Sequence, residues 1–342
     1  MHLVVDGIIE KLQTGGGCSV YFSEILQRYI RDGYDLRYLD FLVDGSQLVK
    51  GSEKVIFDKY PSRQLERWKD VNCKSLTSDA IFHSTHYRLP VEKAQIVTTV
   101  HDFTYELYRK GPGQWMHTWQ KNRAIKNSDL VLCVSNNTAK DLLKFCPISE
   151  DKIRVVHNGV SDTYHCLEDV SSSNEVVFIG ARGGYKNFIL AVKAVARAAE
   201  LSLSIVGGGK LTETELKYLQ TYLPGRHQWL GRLSDEQLNV VYNRAFCLLY
   251  PSSYEGFGIP VAEAMRAGCP VIAVNSSSIP EVAGDAGLLV KMAEVSLFSD
   301  ALQQLLIERN RERLIKQGLL QAQKFSWENC YQETLKVYEE LI

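Results

Sequence analysis

The sequence predicts an α/β protein made of two doubly wound, Rossmann-like parallel-sheet domains with a cleft between them. Short apolar runs alternate with helix-like segments throughout, which is typical of parallel sheets covered by helices on both faces. The 342 residues are too many for one average domain and suit two. The polar segment Asp169–Asn174 interrupts the alternation and is the best linker candidate.

Short apolar runs predict the strands, and the segments between them predict the helices. In the first half the predicted strands are Leu3–Val5, Leu36–Phe41, Ala80–His83, Ile96–Val100, Leu130–Val134 and Ile153–Val156, and the helices are Val20–Arg31, Gln114–Lys126 and Thr138–Phe145. In the second half the strands are Val176–Ile179, Leu203–Val206, Cys247–Leu249, Val271–Val274 and Leu288–Val290. The helices there are Phe188–Ala199, Glu213–Tyr222, Asp235–Asn243, Val261–Ala267, Val295–Glu308 and Arg311–Lys324, with a last one in Phe325–Tyr338.

Composition excludes several classes of protein. Apolar residues make up 45% of the chain, charged residues 23%, and the net charge of −1 gives no field that would favour nucleic acid. No apolar run approaches the roughly 20 residues that span a bilayer, and the first residues do not resemble a signal peptide. The eight cysteines are scattered, without a metal-ligand or disulfide pattern. We expect a cytoplasmic protein that needs no metal; attachment to the inner face of the membrane stays open.

The most informative segment is Tyr250–Val274. It leaves a predicted strand, passes through Glu255-Gly256-Phe257-Gly258, and starts a helix at Pro260 that carries Glu263. Glycines before a helix N-terminus form an anion site, because free N–H groups and the positive end of the helix dipole point at one place. Two carboxylates beside an anion site suit a sugar nucleotide, with phosphate on the amides and hydroxyls on the acids.

This arrangement resembles the E-x7-E signature of retaining, nucleotide-sugar-dependent glycosyltransferases with the GT-B fold (glycosyl transferases group 1), among them bacterial mannosyltransferases. The resemblance covers nearly the whole chain and is strongest from Phe178 to Val290. It implies an acceptor-side domain at 1–165, a donor-binding domain at 166–324, and a last helix at 325–342 that packs on the first domain. It also implies that Glu255 binds hydroxyls of the transferred sugar and that Glu263 binds the ribose.

Arg182 and Lys186 follow the predicted strand Val176–Ile179 in a glycine-rich turn. A guanidinium fork and an ammonium at the end of a strand suit a diphosphate, and the resemblance implies that these two cations hold the donor diphosphate. Together with the amides of Gly256–Gly258 they are expected to stabilise the charge that develops on the leaving group. As a loop cation, Arg182 is expected to contribute little to packing.

The resemblance assigns further donor contacts to two glycine runs and a loop. Gly16 and Gly17, in Gly15–Gly17, are expected to face the donor phosphates, Gly208 lies in a second glycine run, and Leu233 lies in the segment expected to hold the base. His101 ends the predicted strand Ile96–Val100 and is expected to contact the transferred sugar. The first glycine run matches neither a dinucleotide fingerprint nor a P-loop, which disfavours a dehydrogenase.

The segment Tyr105–Lys126 interleaves aromatic and basic residues, including Trp115, Trp119 and Lys121. Two arrangements stay open at this point. The helix can lie on an anionic membrane surface, which would fit a lipid-linked acceptor. Alternatively, its tryptophans pack inward and its cations face water.

The function that we predict is transfer of a sugar from a nucleotide diphosphate donor to a glycan or lipid-linked acceptor in surface-polysaccharide synthesis, with GDP-mannose as the first donor to test. A UDP-sugar-dependent glucosyl- or N-acetylglucosaminyltransferase is an alternative. A sugar-nucleotide epimerase and a non-catalytic nucleotide- or glycan-binding module also remain. The joint presence of Arg182, Lys186, Glu255 and Glu263 argues against the binding module.

Overall fold

The computed structural model describes residues 2–13, 16–42, 45–49, 54–61, 63–73 and 76–342. The chain divides into two compact units. The first unit comprises Met1–Gly159 and Trp327–Ile342, and the second comprises Val160–Ser326. Each unit contains a parallel sheet flanked by helices, which confirms the predicted class of fold.

The first unit has these strands within its described residues: β1 Leu3–Asp6, β2 Leu36–Asp40, β3 Val55–Lys59, β4 Ile81–Ser84, β5 Gln95–Val100, β6 Leu130–Cys133 and β7 Ile153–Val155. Its helices are α1 Ile8–Leu12, α2 Gly17–Arg31, α3 Thr104–Tyr108, α4 Pro112–Asn127 and α5 Asn136–Phe145. The strand order is β3-β2-β1-β4-β5-β6-β7, and all neighbours are parallel. β1, β4 and β6 are buried along their whole length, as the apolar runs predict.

The second unit repeats the architecture with strands β8 Glu175–Ile179, β9 Ser202–Val206, β10 His227–Gly231, β11 Cys247–Tyr250, β12 Val271–Val274 and β13 Leu288–Val290. Its helices are α6 Phe188–Ala196, α7 Glu213–Tyr222, α8 Asp235–Arg244, α9 Ile259–Arg266, α10 Ile279–Ala283, α11 Val295–Leu305 and α12 Glu308–Ala322. The strand order is β10-β9-β8-β11-β12-β13, again parallel throughout.

The last helix, α13 (Trp327–Glu339), belongs to the first unit. Its Trp327 and Tyr338 lie in the same buried core as Tyr21 of α2. At the rim of this contact, Arg31 Nη1 lies 2.8 Å from Glu328 Oε2. Burial of large aromatic rings therefore attaches the last helix to the first unit.

The change of unit falls between Gly159 and Val160. Val160 is already tied to the second unit, since its N–H donates to the Phe325 carbonyl at 3.3 Å. The candidate linker Asp169–Asn174 lies inside the second unit, where the Ser173 N–H donates to the carbonyl that ends α8 at 2.6 Å. The linker prediction was therefore wrong. The polar composition indicates a surface segment, and backbone hydrogen bonds hold that segment within the second unit.

Two strands escaped prediction, β3 and β10, and both lie at the edge of a sheet. Only Val55 of β3 is buried, and no residue of β10 is. An edge strand pairs on one side and meets solvent on the other, so its sequence need not be an apolar run. β10 therefore gives no signal in a search for buried apolar runs, whereas β3 begins with three apolar residues, a run as short as Leu3–Val5, and that signal was missed.

Candidate active site

The strand order of the second unit reverses between β8 and β11. β8 pairs with β9 on one side and with β11 on the other, and the chain proceeds outward from β8 in both directions. Loops that leave the carboxyl ends of two such strands diverge, and the crevice between them is where open α/β sheets bind ligands. The loop after β8 carries Lys186, and the loop after β11 carries Glu255.

Lys186 and Glu255 meet at this reversal. Lys186 Nζ lies 2.5 Å from Glu255 Oε1, and the two side chains are only 14% and 13% exposed. The next residue, Asn187, has a φ of 52° and donates hydrogen bonds to the Pro251 carbonyl at 2.9 Å and to Ser253 Oγ at 2.8 Å. These bonds join the two loops, so the ammonium is held beside the carboxylate.

The segment Glu255–Gly258 is held from the loop that follows β12. The Glu255 N–H donates to Ser277 Oγ at 2.9 Å, and the single O–H of Ser278 is shared between the carbonyls of Glu255 and Phe257, which lie 2.9 and 2.8 Å from its oxygen. Gly258 has a φ of 95°, and a Cβ there would lie 2.6 Å from an isoleucine methyl, so glycine is required. α9 starts directly afterwards, and its positive dipole end lies at the carboxyl edge of the sheet.

Glu263, in the middle of α9, sits among tyrosine hydroxyls. Tyr242 donates to Glu263 Oε2 at 3.3 Å, and Tyr164 donates to Asp235 Oδ1 at 3.0 Å. Burial, and next the charge of Asp235, raises the pKa of Glu263 to about 8. Its carboxyl is therefore mostly protonated at pH 7 and can both donate and accept a hydrogen bond. Sequence reasoning missed both tyrosines, since neither lies in a recognisable motif.

Arg182 is placed differently from the expectation. Its side chain is buried, and its guanidinium donates from Nε to Glu215 Oε1 at 2.9 Å, from Nη1 to the Gly207 carbonyl at 2.8 Å, and from Nη2 to the Lys210 carbonyl at 2.8 Å. Arg182 thus holds the glycine loop after β9 in place, and its expected contact with the donor diphosphate stays a prediction. The expectation that it contributes little to packing was wrong, because a buried guanidinium must find acceptors for its fork of N–H groups.

The loop Gly207–Gly209 depends on its glycines. All of them have positive φ, of 77°, 71° and 74°. A Cβ on Gly208 would lie 2.4 Å from Arg182 Nη1 and 2.8 Å from the Gly180 carbonyl oxygen. Gly208 therefore lets this loop approach the end of β8 closely.

Leu233 is partly buried in the loop between β10 and α8. The helix after it begins with a capping box, in which Ser234 and Gln237 each bond to the other's backbone N–H. A second capping box, formed by Thr212 and Glu215, starts α7. That spacing was readable in the sequence and would have identified Thr212 as the N-cap of this helix and Glu215 as its capping-box partner.

The remaining predicted contacts lie in the first unit. His101 follows β5, and its Nε2 is buried without a hydrogen-bond partner among the described residues. Its ring meets Tyr21 edge-on with centres 5.2 Å apart, and burial lowers its pKa to about 4. Gly16 precedes α2 and Gly17 is its first residue, with open space where a Cβ on Gly17 would stand. Gly15 lies outside the described residues.

Helix α4 contradicts one of the two arrangements that the sequence left open, and contact with a membrane stays a prediction. Trp115 and Trp119 are 71% and 56% exposed, so the arrangement with inward-packed tryptophans was wrong. Lys121 is fully buried instead, and its Nζ lies 2.7 Å from Glu106 Oε2. Within the described ranges, no helix is long and apolar enough to cross a membrane.

Comparisons with known proteins agree with this architecture. Residues 168–321 match the family described as Glycosyl transferases group 1, and residues 15–164 match Glycosyltransferase Family 4. The chain is 29% identical to the O-antigen chain mannosyltransferase B of Escherichia coli over 307 residues, which is 82% of this chain and 78% of that protein. It is 29% identical to the MMP alpha-(1->4)-mannosyltransferase of Mycolicibacterium hassiacum over 65% of this chain and 56% of that protein.

Among solved structures, sucrose-phosphate synthase from Thermosynechococcus elongatus superposes with a TM-score of 0.78 at 18% identity, covering 100% of this chain and 99% of that one. At this identity the likeness shows the fold alone. Two parallel-sheet units with this topology form the GT-B fold. The chain carries a glycosyl transferases group 1 domain and a glycosyltransferase family 4 domain, and it is a glycosyltransferase.

Proposed function

We propose that this glycosyltransferase moves mannose from GDP-mannose to a hydroxyl of a glycan or lipid-linked acceptor, with retention of anomeric configuration, in surface-polysaccharide synthesis. The similarity to two mannosyltransferases, one of them named for the O-antigen chain, supports the sugar and the pathway class. The observation that carries the mechanism is the contact of 2.5 Å between Lys186 and Glu255 at the reversal of strand order.

The Lys186–Glu255 pair suits an exchange of partners when donor binds. The diphosphate oxygens would bind Lys186 and the N-terminal end of α9. Glu255, released from Lys186, would then accept hydrogen bonds from hydroxyls of the sugar. The leaving diphosphate gains negative charge as the glycosidic bond breaks. An ammonium and a helix dipole that are already in place stabilise that charge without reorganisation. Because these groups neutralise the diphosphate, the proposed transfer needs no divalent metal.

A thermal-shift panel of GDP- and UDP-sugars, followed by a transfer assay with radiolabelled GDP-mannose, tests the proposal. GDP-mannose at about 100 times its Kd should stabilise the protein by about 2.7 kcal/mol, because it binds only the folded state. Lys186→Ala should reduce that stabilisation. Stabilisation by UDP-sugars alone would contradict GDP-mannose and favour the UDP-sugar alternative. Donor that is epimerised without any acceptor would favour the epimerase.

We also propose that the α3–α4 region docks this enzyme on an anionic membrane. Trp115 and Trp119 are exposed, and Arg109 and Lys110 lie exposed in the turn between the two helices. Tryptophan favours the membrane interface, and each cation near an anionic surface contributes about 1 kcal/mol. Reversal of Lys121 would be uninformative, because that residue is buried in an ion pair.

Co-sedimentation with vesicles of phosphatidylcholine and phosphatidylglycerol tests the docking. Replacing Trp115 and Trp119 with serine, or Arg109 and Lys110 with glutamate, should lower the bound fraction several-fold. Leu320→Ser is the matched control, because Leu320 is 60% exposed on α12 of the other unit. Equal sedimentation of all variants and the wild type would contradict docking through this region.

A further inference from the structure

Arg67, in the first unit, is a half-buried cation that forms no ion pair among the described residues. Its Nη2 donates to His86 Nε2 at 3.0 Å, and its Nε is buried without a hydrogen-bond partner there. Its Cζ lies 4.4 Å from the centre of the Trp68 ring. Burial lowers the pKa of Arg67. A charge held away from water without a counter-ion is unfavourable, and a bound anion would offset that cost.

The other buried cations nearby already have carboxylate partners. Arg88 Nη1 lies 3.1 Å from Asp6 Oδ1, and its Nη2 lies 2.8 Å from Glu66 Oε1. Lys121 is paired with Glu106. The charge that remains without a counter-ion in this part of the described chain is therefore that of Arg67.

Two further side chains beside Arg67 have unused hydrogen-bonding atoms. His117 and Gln120, on the inner face of α4, are 6% and 3% exposed, and His117 Nδ1 and Gln120 Oε1 have no partner among the described residues. Gln120 Nε2 donates to the Arg67 carbonyl at 2.5 Å. The His117 ring lies 6.0 Å from that of His86 and stacks on Tyr105 at 3.9 Å.

The imidazoles in this cluster are neutral. Burial, and next the charge of Arg67, lowers the pKa of His86 to about 3, and burial with the charge of Lys121 lowers that of His117 to about 3. Because a guanidinium only donates, His86 Nε2 accepts from Arg67 and its proton lies on Nδ1. One positive charge with several nearby N–H donors is complementary to an oxyanion.

We propose that Arg67, His86 and His117 bind a phosphate group of the acceptor. Phosphate offers three acceptor oxygens around one centre, which suits donors that come from three different elements of the fold. The identity of the ligand as an acceptor rests on the proposed function, whereas the phosphate site itself does not.

Histidine-labelled protein titrated with inorganic phosphate at pH 7 tests the site, with the ring signals of the eight histidines followed by NMR. Signals assigned through His86→Gln and His117→Gln should shift and saturate, while that of His83, which is bonded to Tyr338 and Thr99, should not move. Arg67→Gln should weaken phosphate binding at least about tenfold, the factor that corresponds to 1.4 kcal/mol.

Three controls separate the outcomes. Arg313→Gln, on exposed α12, should bind phosphate like the wild type, and Arg67→Lys should retain part of the affinity because it keeps the charge. Acetate at equal ionic strength should bind at least about tenfold more weakly than phosphate. Equal affinity for acetate would overturn the assignment to phosphate, and unshifted His86 and His117 signals would overturn the site. GDP-mannose binding is measured separately, so its failure would count against the donor proposal alone.

Discussion

Replacing Arg182 with alanine should destabilise the second unit before it impairs the chemistry. The guanidinium bonds Glu215 and the carbonyls of Gly207 and Lys210, all at 2.8 to 2.9 Å. Alanine would leave these acceptors short of a donor in a place that water reaches poorly. We therefore expect thermal unfolding to report the loss most directly.

The expected loss of stability depends on which hydrogen bonds each acceptor keeps when Arg182 is replaced by alanine. A hydrogen bond to a charged group contributes about 1.5–3 kcal/mol. The Gly207 carbonyl keeps a bond from Trp229 Nε1 at 3.3 Å, and Glu215 keeps its bonds from Thr212. Among the described residues, only the Lys210 carbonyl would then lack a side-chain donor. The net loss should be about 2–4 kcal/mol. For a domain of this size, a loss of 1 kcal/mol lowers Tm by about 2–4 °C, so we expect a fall of about 4–16 °C.

A double-mutant cycle identifies the contact responsible. Arg182→Ala, Glu215→Ala and the double variant should give a coupling energy of about 1–3 kcal/mol, as residues in direct contact do. Lys186→Ala is the kinetic counterpart. It should lower kcat by about 10²–10³, the effect of losing one preorganised charge-stabilising group, with a smaller fall in Tm.

Calorimetry and steady-state kinetics on the same protein preparations separate the two residues. An unchanged Tm in Arg182→Ala, or additive effects of the two alanines, would refute the role given to Arg182. Turnover of Lys186→Ala within about twofold of the wild type, well inside the tenfold that 1.36 kcal/mol represents, would remove Lys186 from the site.

Two further predictions concern pH and metal. The pKa of Glu263 is about 8 in the folded protein against about 4.3 in an unfolded chain, so the folded state keeps a proton that the unfolded state loses between these values. This group's contribution to stability is therefore present below about pH 4.3 and is lost at up to about 1.4 kcal/mol per unit as pH rises to 8. Glu263→Gln should gain Tm relative to the wild type from pH 5 to 8, and parallel Tm profiles would contradict this. Transfer should also persist in EDTA; activity that is lost in EDTA and restored by manganese would show that the diphosphate needs a metal.

The parts of the site that lie in one continuous segment were the easiest to predict. A buried strand, glycines and a helix-starting proline place Glu255 at the carboxyl edge of a sheet, because parallel strands and the helices after them impose that position. Which cation pairs with Glu255 could not be predicted from one segment of sequence. Both Arg182 and Lys186 stand in the same glycine-rich turn, and composition gives no reason to separate them.

The neighbouring strand determines which contacts Arg182 and Lys186 each make. β9 places the loop Gly207–Gly209 and the start of α7 next to Arg182, and these supply carbonyls and a carboxylate for its guanidinium. β11 supplies Glu255 for Lys186. Strand order is a long-range property, so only the three-dimensional arrangement shows which cation meets which loop. The same limit applies to Tyr164 and Tyr242, which approach each other from distant parts of the chain.

Helix α4 shows the opposite of the usual amphipathic pattern over its first turns. It buries His117, Gln120 and Lys121 at the spacing of one helical face, and it exposes Trp115 and Trp119 on the other. Globular proteins normally bury the apolar face of a helix, because apolar area removed from water contributes about 25 cal/mol per Å². Polar contacts hold the inner face, since Lys121 is paired with Glu106 and Gln120 donates to the Arg67 carbonyl, but burial of apolar area gives no reason for the outward tryptophans. On the two proposals made above, the outer face would contact lipid and the inner face would bind a phosphate-bearing acceptor. A lipid-linked acceptor would bring lipid and phosphate to the same helix.

If the two faces of α4 bind different ligands, anionic vesicles should bind the Arg67→Gln variant as they bind the wild type, and the Trp115 and Trp119 variants should keep their affinity for phosphate. Loss of both properties in either variant would contradict this division between the two faces of α4.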